Sequence, residues 1–216
     1  MIFSSFARRT AISAVFMLAT AASAAAAAAA ELTEVKIGVL TDMSGPYSDA
    51  VGPGSVLAAQ MAVEDFKASE KPSFAASVLS ADHGNKPDTA TNLARAWFER
   101  DNVDMLVDLT NSAVALAGGK IATQYDKVAI TGACGTVLFN EECSPNVAIW
   151  TFSTYALAKS TARAIYKRGG DSWYFITADY AGGHQVERDS TREIEALGGK
   201  VLGNSRVPTG LADLSS

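Results

Sequence analysis

Residues 35–48 have the sequence Val35-Lys-Ile-Gly-Val-Leu-Thr-Asp-Met-Ser-Gly-Pro-Tyr-Ser48, and this stretch decides the fold. Its first six residues are mostly apolar and rich in β-branched side chains, which predicts a buried parallel strand. The loop signals Ser-Gly-Pro follow, and residues 55–66 then place apolar side chains three and four positions apart, as in a helix. Strand, loop and helix form half of a βαβ unit, whose ligands bind at the carboxyl ends of the strands. Ser44 and Tyr47 are therefore candidate ligand-binding residues.

The same alternation of strand and helix continues along the chain. Further strands are predicted at 76–80, 105–109, 128–131, 147–152, 173–177 and 200–203, and further helices at 87–100, from 110 onward, at 156–168 and at 183–197. This pattern predicts an α/β fold, a mostly parallel sheet with helices on both faces. Irregular residues near 137–153 divide it into a first α/β lobe at 31–150 and a partial second lobe at 151–216. Because no helix follows the last predicted strand, we expect a fragment of a longer protein.

Residues 1–30 combine Arg8 and Arg9 with a short apolar core and an alanine-rich tail. This pattern predicts a secretory signal peptide. The alternative is a membrane span, for which the apolar core is short. Removal of these residues takes away two of the 18 basic residues and none of the 23 acidic ones, which leaves a net charge of −7. Such a chain is a poor partner for nucleic acid and for anionic membrane surfaces.

The two cysteines, Cys134 and Cys143, leave two alternatives open. In an oxidising compartment they either form a disulfide or remain free thiols, because the geometry of the Cβ atoms decides. His83 and His184 are remote from them in sequence and no zinc-binding spacing occurs, so we expect no metal. Glycine-rich phosphate-binding motifs and a Gly-x-Ser-x-Gly elbow are also missing from the sequence, so we expect no cofactor.

Small polar and aromatic residues follow the other predicted strands. Ser112 begins a predicted helix, where it either helps to bind an anion or only caps the helix. Residues 133–136 are small and let a ligand approach the backbone. Tyr180 offers a ring and a hydroxyl, or is a packed surface aromatic. Aspartates also lie near strand ends, and they either form an acid–base pair or have capping and solvated roles; these are Asp42, Asp82, Asp108 and Asp179.

Together these segments resemble a known family. Residues 35–48, followed by Ala58-Ala-Gln-Met-Ala62, resemble the start of the branched-chain amino acid type of periplasmic solute-binding proteins, which serve ABC importers. Asn111-Ser-Ala113, Gly132-Ala-Cys-Gly-Thr136 and Ala178-Asp-Tyr-Ala-Gly-Gly183 resemble the later ligand loops of that family. The resemblance implies a type I periplasmic binding protein fold, in which two Rossmann-like lobes close on a solute and the second lobe is incomplete here.

The resemblance also implies a role for each candidate residue. Ser112 and the backbone of Ala133, Cys134, Gly135 and Thr136 would hold the carboxylate and ammonium groups of the ligand. Tyr47 would lie where the first loop covers the ligand, Tyr155 near the crossing into the second lobe, and Tyr180 where the second lobe closes down. Cys134 and Gly135 stand where the family often has Ala and Thr or Ser, so Thr136 would supply the hydroxyl instead.

The resemblance implies a periplasmic monomer that captures a small organic solute, namely an amino acid, an amide or a small carboxylic acid. It would deliver this solute to an ABC permease in the inner membrane. Two other functions stay open. One is an exported amidase-like enzyme with Cys134 as nucleophile, although neither histidine is near it in sequence. The other is a ligand-sensing ectodomain.

Overall fold

Strands and helices alternate in the computed structural model, which describes residues 33–209. The predicted signal peptide at 1–30 lies outside the described residues. The strands are β1 Glu34–Thr41, β2 Ala75–Asp82, β3 Met105–Asp108, β4 Val128–Thr131, β5 Val147–Ile149, β6 Ser172–Ala178 and β7 Lys200–Val207. The helices are α1 Gly52–Glu70, α2 Pro87–Ala96, α3 Ser112–Gln124, α4 Thr154–Tyr166 and α5 Ala181–Ala196.

Two parallel sheets organise these elements, which confirms the predicted α/β class. The first has the strand order β2-β1-β3-β4-β5 and, with α1–α3, is called the first lobe below. The second contains β6 and β7 and, with α4 and α5, is called the second lobe. In the first sheet Leu40 is paired with Asp108, and Asp108 with Thr131. The loops that follow β1, β3 and β4 therefore leave the same edge of the sheet side by side.

The core of the first lobe lies between its sheet and helices α2 and α3. Leu40 and Leu106 are fully buried there, together with Val114 of α3. Trp97 begins a π-helical turn, Trp97–Asp101, that continues α2. The Trp97 ring lies 2.6 Å from the position that a Cβ on Gly38 would take, so only glycine allows this indole to pack on β1.

Several predicted boundaries differ from the structure. The strand predicted at 147–152 ends at Ile149, and the side chains of Trp150 and Phe152 are 86% and 57% exposed in the crossing to the second lobe. The predicted apolar face of α1 is also largely open, because Leu57 and Met61 are more than half exposed. An apolar pattern reports the preference of a side chain for burial, but it does not say whether the fold supplies a partner.

The second lobe packs α4 against α5 through Ala158, Ala162 and Ile194, which are all buried. On the sheet, Tyr174, Ile176 and Leu202 are exposed, because the described helices cover only the other face. No helix in the described part of the chain is both long enough and apolar enough to span a bilayer.

Candidate functional site

The loop after β1 is built around the buried side chain of Asp42. Its two carboxylate oxygens accept hydrogen bonds from the backbone N–H groups of Gly45, at 2.7 Å, and Tyr47, at 3.0 Å. A buried carboxylate needs such donors because burial without them is costly. Asp42 therefore fixes the position from which the Tyr47 side chain starts.

Asp82, at the end of β2, holds the other side of the same loop. It accepts hydrogen bonds from the Ser44 hydroxyl at 2.6 Å, the Met43 amide at 2.9 Å and the Gly84 amide at 2.7 Å. Burial raises the pKa of Asp82, but these hydrogen bonds favour the ionised form and bring the pKa below its usual value. The Ser44 side chain is exposed, and its hydroxyl group donates its proton to the hydrogen bond with Asp82.

Helix α3 begins at Ser112, but its cap is Asn111. The Asn111 side chain accepts hydrogen bonds from the amides of Ala113, at 2.7 Å, and Val114, at 3.3 Å. Its amide group also donates to Asn85, which joins the loops after β2 and β3. The alternative in which the Ser112 hydroxyl caps the helix is therefore wrong. Ser112 is 2% exposed and lies beside the loop that follows β4.

Gly135 lies between Ser112 and α5. A Cβ on Gly135 would come within 2.9 Å of the Ser112 hydroxyl oxygen and 2.7 Å of the side-chain oxygen of Gln185. Such distances are far below normal van der Waals contact, so glycine allows the backbone to approach both groups. A hydroxyl-bearing residue at this position has no room. The buried Ala133 precedes it, with its amide bound to the Thr131 hydroxyl at 2.9 Å.

The Thr136 hydroxyl forms hydrogen bonds within the protein. It donates to the Asp189 carboxylate of α5 at 2.7 Å and accepts the amide proton of Tyr155 at 2.8 Å. Thr154 donates to the same carboxylate oxygen at 2.8 Å and accepts the Thr136 amide proton at 3.0 Å. The expectation that Thr136 presents its hydroxyl to a solute does not agree with these contacts, because its proton already has an acceptor.

Two aromatic side chains, one from each lobe, are in contact beside Cys134. The rings of Tyr47 and Tyr180 are in edge-to-face contact, with centroids 6.0 Å apart. Burial raises the pKa of Tyr47 above its ordinary value of 10.0, and the neighbouring Tyr180 and Cys134 raise it further. Tyr47 is therefore a neutral hydrogen-bonding group at physiological pH.

Tyr155 contributes to the site in a different way from the prediction. Its amide binds Thr136, but its ring follows α4, where the Lys159 ammonium lies 5.0 Å from the ring centroid and 2.9 Å from the hydroxyl oxygen. The structure thus brings together Tyr47, Tyr180, Ser112 and residues 133–135. It joins Tyr155 to them through the backbone only.

Both cysteines are free thiols, so the disulfide alternative is not observed. Cys134 lies at the site beside Tyr47, whereas Cys143 is exposed after the irregular turn that follows. Burial raises the pKa of Cys134 and disfavours its thiolate, the nucleophilic form. This environment is the opposite of the one that an amidase-like enzyme needs.

The aspartates near strand ends support loops in the structure. Asp108 binds the Thr110 hydroxyl, and Asp179 binds His184 at 2.7 Å. His83 is 1% exposed and accepts the Asn85 amide proton through Nδ1 at 3.0 Å. Burial lowers the pKa of His83, so its ring is neutral at physiological pH. Among the residues described, no group of three or more side chains is placed to hold a metal ion.

Sequence reasoning missed Gln185 and Asp189 as parts of the site. Both lie on α5, and the Gln185 side-chain oxygen accepts the Val137 amide proton at 3.0 Å. The available signal was the spacing Gln185, Asp189, Glu193, which puts polar groups on one helix face at four-residue intervals. A helix face of this composition is expected to face solvent, yet all three of these side chains are buried.

The sequence profile of the periplasmic binding protein family matches residues 34–216. A comparison with curated proteins found no match. A solved periplasmic binding protein from Burkholderia mallei is 44% identical, with a TM-score of 0.77. A branched chain amino acid ABC transporter periplasmic ligand-binding protein from Burkholderia xenovorans is 34% identical, with a TM-score of 0.68.

Each of these two alignments covers 84% of this chain and 48% of the other, so the chain spans about half the length of these relatives. A more distant solute-binding protein from R. palustris, solved in complex with benzoate, is 22% identical with a TM-score of 0.72. That alignment covers 84% of this chain and 50% of the other, and at this identity it shows a common fold alone.

Proposed function

Because the chain belongs to the periplasmic binding protein family, we propose that it is part of a periplasmic substrate-binding component of an ABC importer. In this role it captures a small organic solute between its lobes and delivers it to a permease in the inner membrane. The single observation that carries the proposal is the contact between Tyr47 of the first lobe and Tyr180 of the second, with Cys134 beside Tyr47.

The proposed mechanism is conformational and makes or breaks no bond. A solute that touches both lobes binds the closed form more tightly than the open form, and this difference in affinity drives closure. Tyr47 and Tyr180 are suited to it because an aromatic pair gains about 0.5–1.5 kcal/mol beyond its area burial. The permease then distinguishes the closed from the open form.

The lining supports a solute with no net charge. Ser112 is uncharged, Tyr47 and Cys134 keep their protons because their pKa values are raised, and the α3 N-terminus offers only partial positive charge. A net charge buried in such a site has no full counter-charge, which is costly. A zwitterionic amino acid or an amide fits better than a carboxylate anion. The branched-chain relative from Burkholderia xenovorans supports an aliphatic amino acid.

Isothermal titration calorimetry on the mature protein tests this proposal. L-leucine, L-valine and acetamide represent neutral solutes, and benzoate represents an anion of similar size. We expect micromolar or tighter binding of at least one neutral solute. Saturable binding of benzoate alone would contradict the proposed solute class. Saturable hydrolysis of an amide substrate that is lost on Cys134→Ser would contradict the proposed function and support the amidase alternative.

A further inference from the structure

Helix α5 turns a row of polar side chains inward. Gln185, Asp189 and Glu193 are 6%, 4% and 8% exposed, and their four-residue spacing places them on one face of the helix. Burial of a polar group costs free energy unless the group is hydrogen-bonded. The hydrogen-bond partners of these three side chains therefore indicate the role of this helix face.

The partners of Glu193 differ in kind from those of the other two residues. Glu193 binds the Arg163 side chain of α4, which belongs to the same lobe. Asp189 binds the hydroxyl groups of Thr136 and Thr154, and Gln185 binds the Val137 amide. Gln185 and Asp189, in the second and third turns of α5, therefore bind the loop that follows β4 in the other lobe, and Glu193 in the fourth turn does not.

Two backbone amides at the start of α4 in the second lobe bind this loop as well. The Thr154 amide, at the start of α4, donates to the Cys134 carbonyl at 2.7 Å, and the Tyr155 amide donates to the Thr136 hydroxyl at 2.8 Å. Asp189 accepts both threonine hydroxyl protons on one carboxylate oxygen. Hydrogen bonds to an ionised acceptor are stronger than those between neutral groups. Asp189 is thus the centre of the network.

This hydrogen-bond network holds residues 133–135 at their position relative to Ser112 in the proposed solute site. Gln185 lies against one side of Gly135 and the Ser112 hydroxyl against another, at the distances given above. If α5 moved away from the loop, Gly135 and the backbone of 133–135 would be free to move relative to Ser112. A displacement of about 1 Å in a positioning contact is enough to cost a large factor in function.

We propose that Asp189 is a positioning residue for the solute, an inference that rests on the proposed function. It acts through the Thr136 hydroxyl and touches no solute atom. Through Thr136 it holds residues 133–136 against Ser112 and keeps the solute site assembled.

Calorimetry with the best-binding solute among L-leucine, L-valine and acetamide tests this role. In Asp189→Asn the carboxylate charge is lost, and we expect affinity to fall roughly five- to tenfold. The matched control is Glu193→Gln, which neutralises a buried carboxylate one turn further along α5. We expect its affinity to stay within about twofold of the wild type. Equal losses in both variants, or an unchanged Asp189→Asn, would overturn the proposal.

A double-mutant cycle separates positioning from general destabilisation. Thr136→Val removes the hydroxyl and keeps the branched shape. If Asp189 acts through this hydroxyl, then Asp189→Asn should weaken binding by less than about twofold in the Thr136→Val background. Fully additive losses would show that Asp189 does not act through Thr136. If the wild type binds none of the three solutes and does not bind benzoate, the proposed function fails instead. This outcome is distinguishable because it is seen in the wild type alone.

Discussion

Ser112 and Asn111 are neighbours with separate tasks at the start of α3. Asn111 satisfies the first free amides of the helix, which leaves the Ser112 hydroxyl for the site. Ser112→Ala should therefore remove a charge-assisted hydrogen bond to a solute carboxylate. We expect a loss of about 1.5–3 kcal/mol, roughly ten- to hundredfold in affinity, in calorimetry on the mature protein.

The melting temperature of solute-free Ser112→Ala should stay at the wild-type value, because the cap is intact. Asn111→Ala is the matched control and should lower that temperature, since a lost cap costs about 1 kcal/mol. A destabilised Ser112→Ala that binds solute normally would reverse the two assignments.

Gly135 gives a second prediction at the same scale. In Gly135→Ala the new methyl group overlaps the Ser112 hydroxyl and the Gln185 side chain, so the loop must shift. We expect at least tenfold weaker solute binding in calorimetry, the equivalent of about 1.4 kcal/mol. Gly54→Ala is the control, because a Cβ there meets nothing within 4 Å and the residue lies in α1. It should bind normally and be more stable by about 0.5–1 kcal/mol.

The half-buried phenol of Tyr47 predicts a dependence of stability on pH. Its pKa is raised in the folded chain, whereas the unfolded chain releases the proton near the ordinary value of 10.0. The contribution of Tyr47 to the free energy of unfolding is therefore complete below pH 10 and is lost as the pH rises through the folded pKa. Urea unfolding between about pH 9 and pH 11 should show a steeper loss in the wild type than in Tyr47→Phe. Parallel curves would show that Tyr47 ionises normally.

Among the secondary-structure elements, the two sheets differ most in their number of strands and in the packing against their faces. The first has five strands with a buried core between it and helices α2 and α3, and the second has two strands with Tyr174, Ile176 and Leu202 exposed. A two-stranded sheet is marginal without further packing. Amide hydrogen exchange on the 216-residue chain should therefore show β1, β3 and β4 better protected than β6 and β7. Equal protection of both sheets would contradict this.

Local patterns were enough to predict most elements. Alternating apolar and turn residues placed each of the seven strands, and the bounds of β4 were predicted to the residue. The predictions were wrong where the environment of a side chain depends on residues that are distant in sequence. Trp150 and Phe152 extend the apolar run of β5, but the sheet offers them no partner. Thr136 binds Asp189 across 53 positions of sequence, and no local pattern contains that pairing.

For the whole molecule, the Tyr47–Tyr180 contact predicts the kinetics of solute release. In the proposed mechanism, Tyr180→Ala removes a contact that the closed form makes and the open form does not. Stopped-flow measurements on the mature protein should show a faster dissociation rate with little change in the association rate. Tyr174→Ala is the control, because this exposed tyrosine lies on β6 and its hydroxyl contacts Ser205. A change confined to the association rate would place Tyr180 outside the closing contact.

The parallel register of β1 has a consequence for how the chain is made. Among the strands that the structure describes, β1 is synthesised first, yet its neighbour β3 pairs Met105 with Ile37, 68 residues later. At a synthesis rate of about 5–20 residues per second, this strand waits about 3–14 s for that partner. During this delay its apolar side chains are open to other chains and to chaperones. The edge of β1 that faces β3 is thus unpaired for longer than the edge that faces β2, whose residues 75–82 follow sooner in the chain.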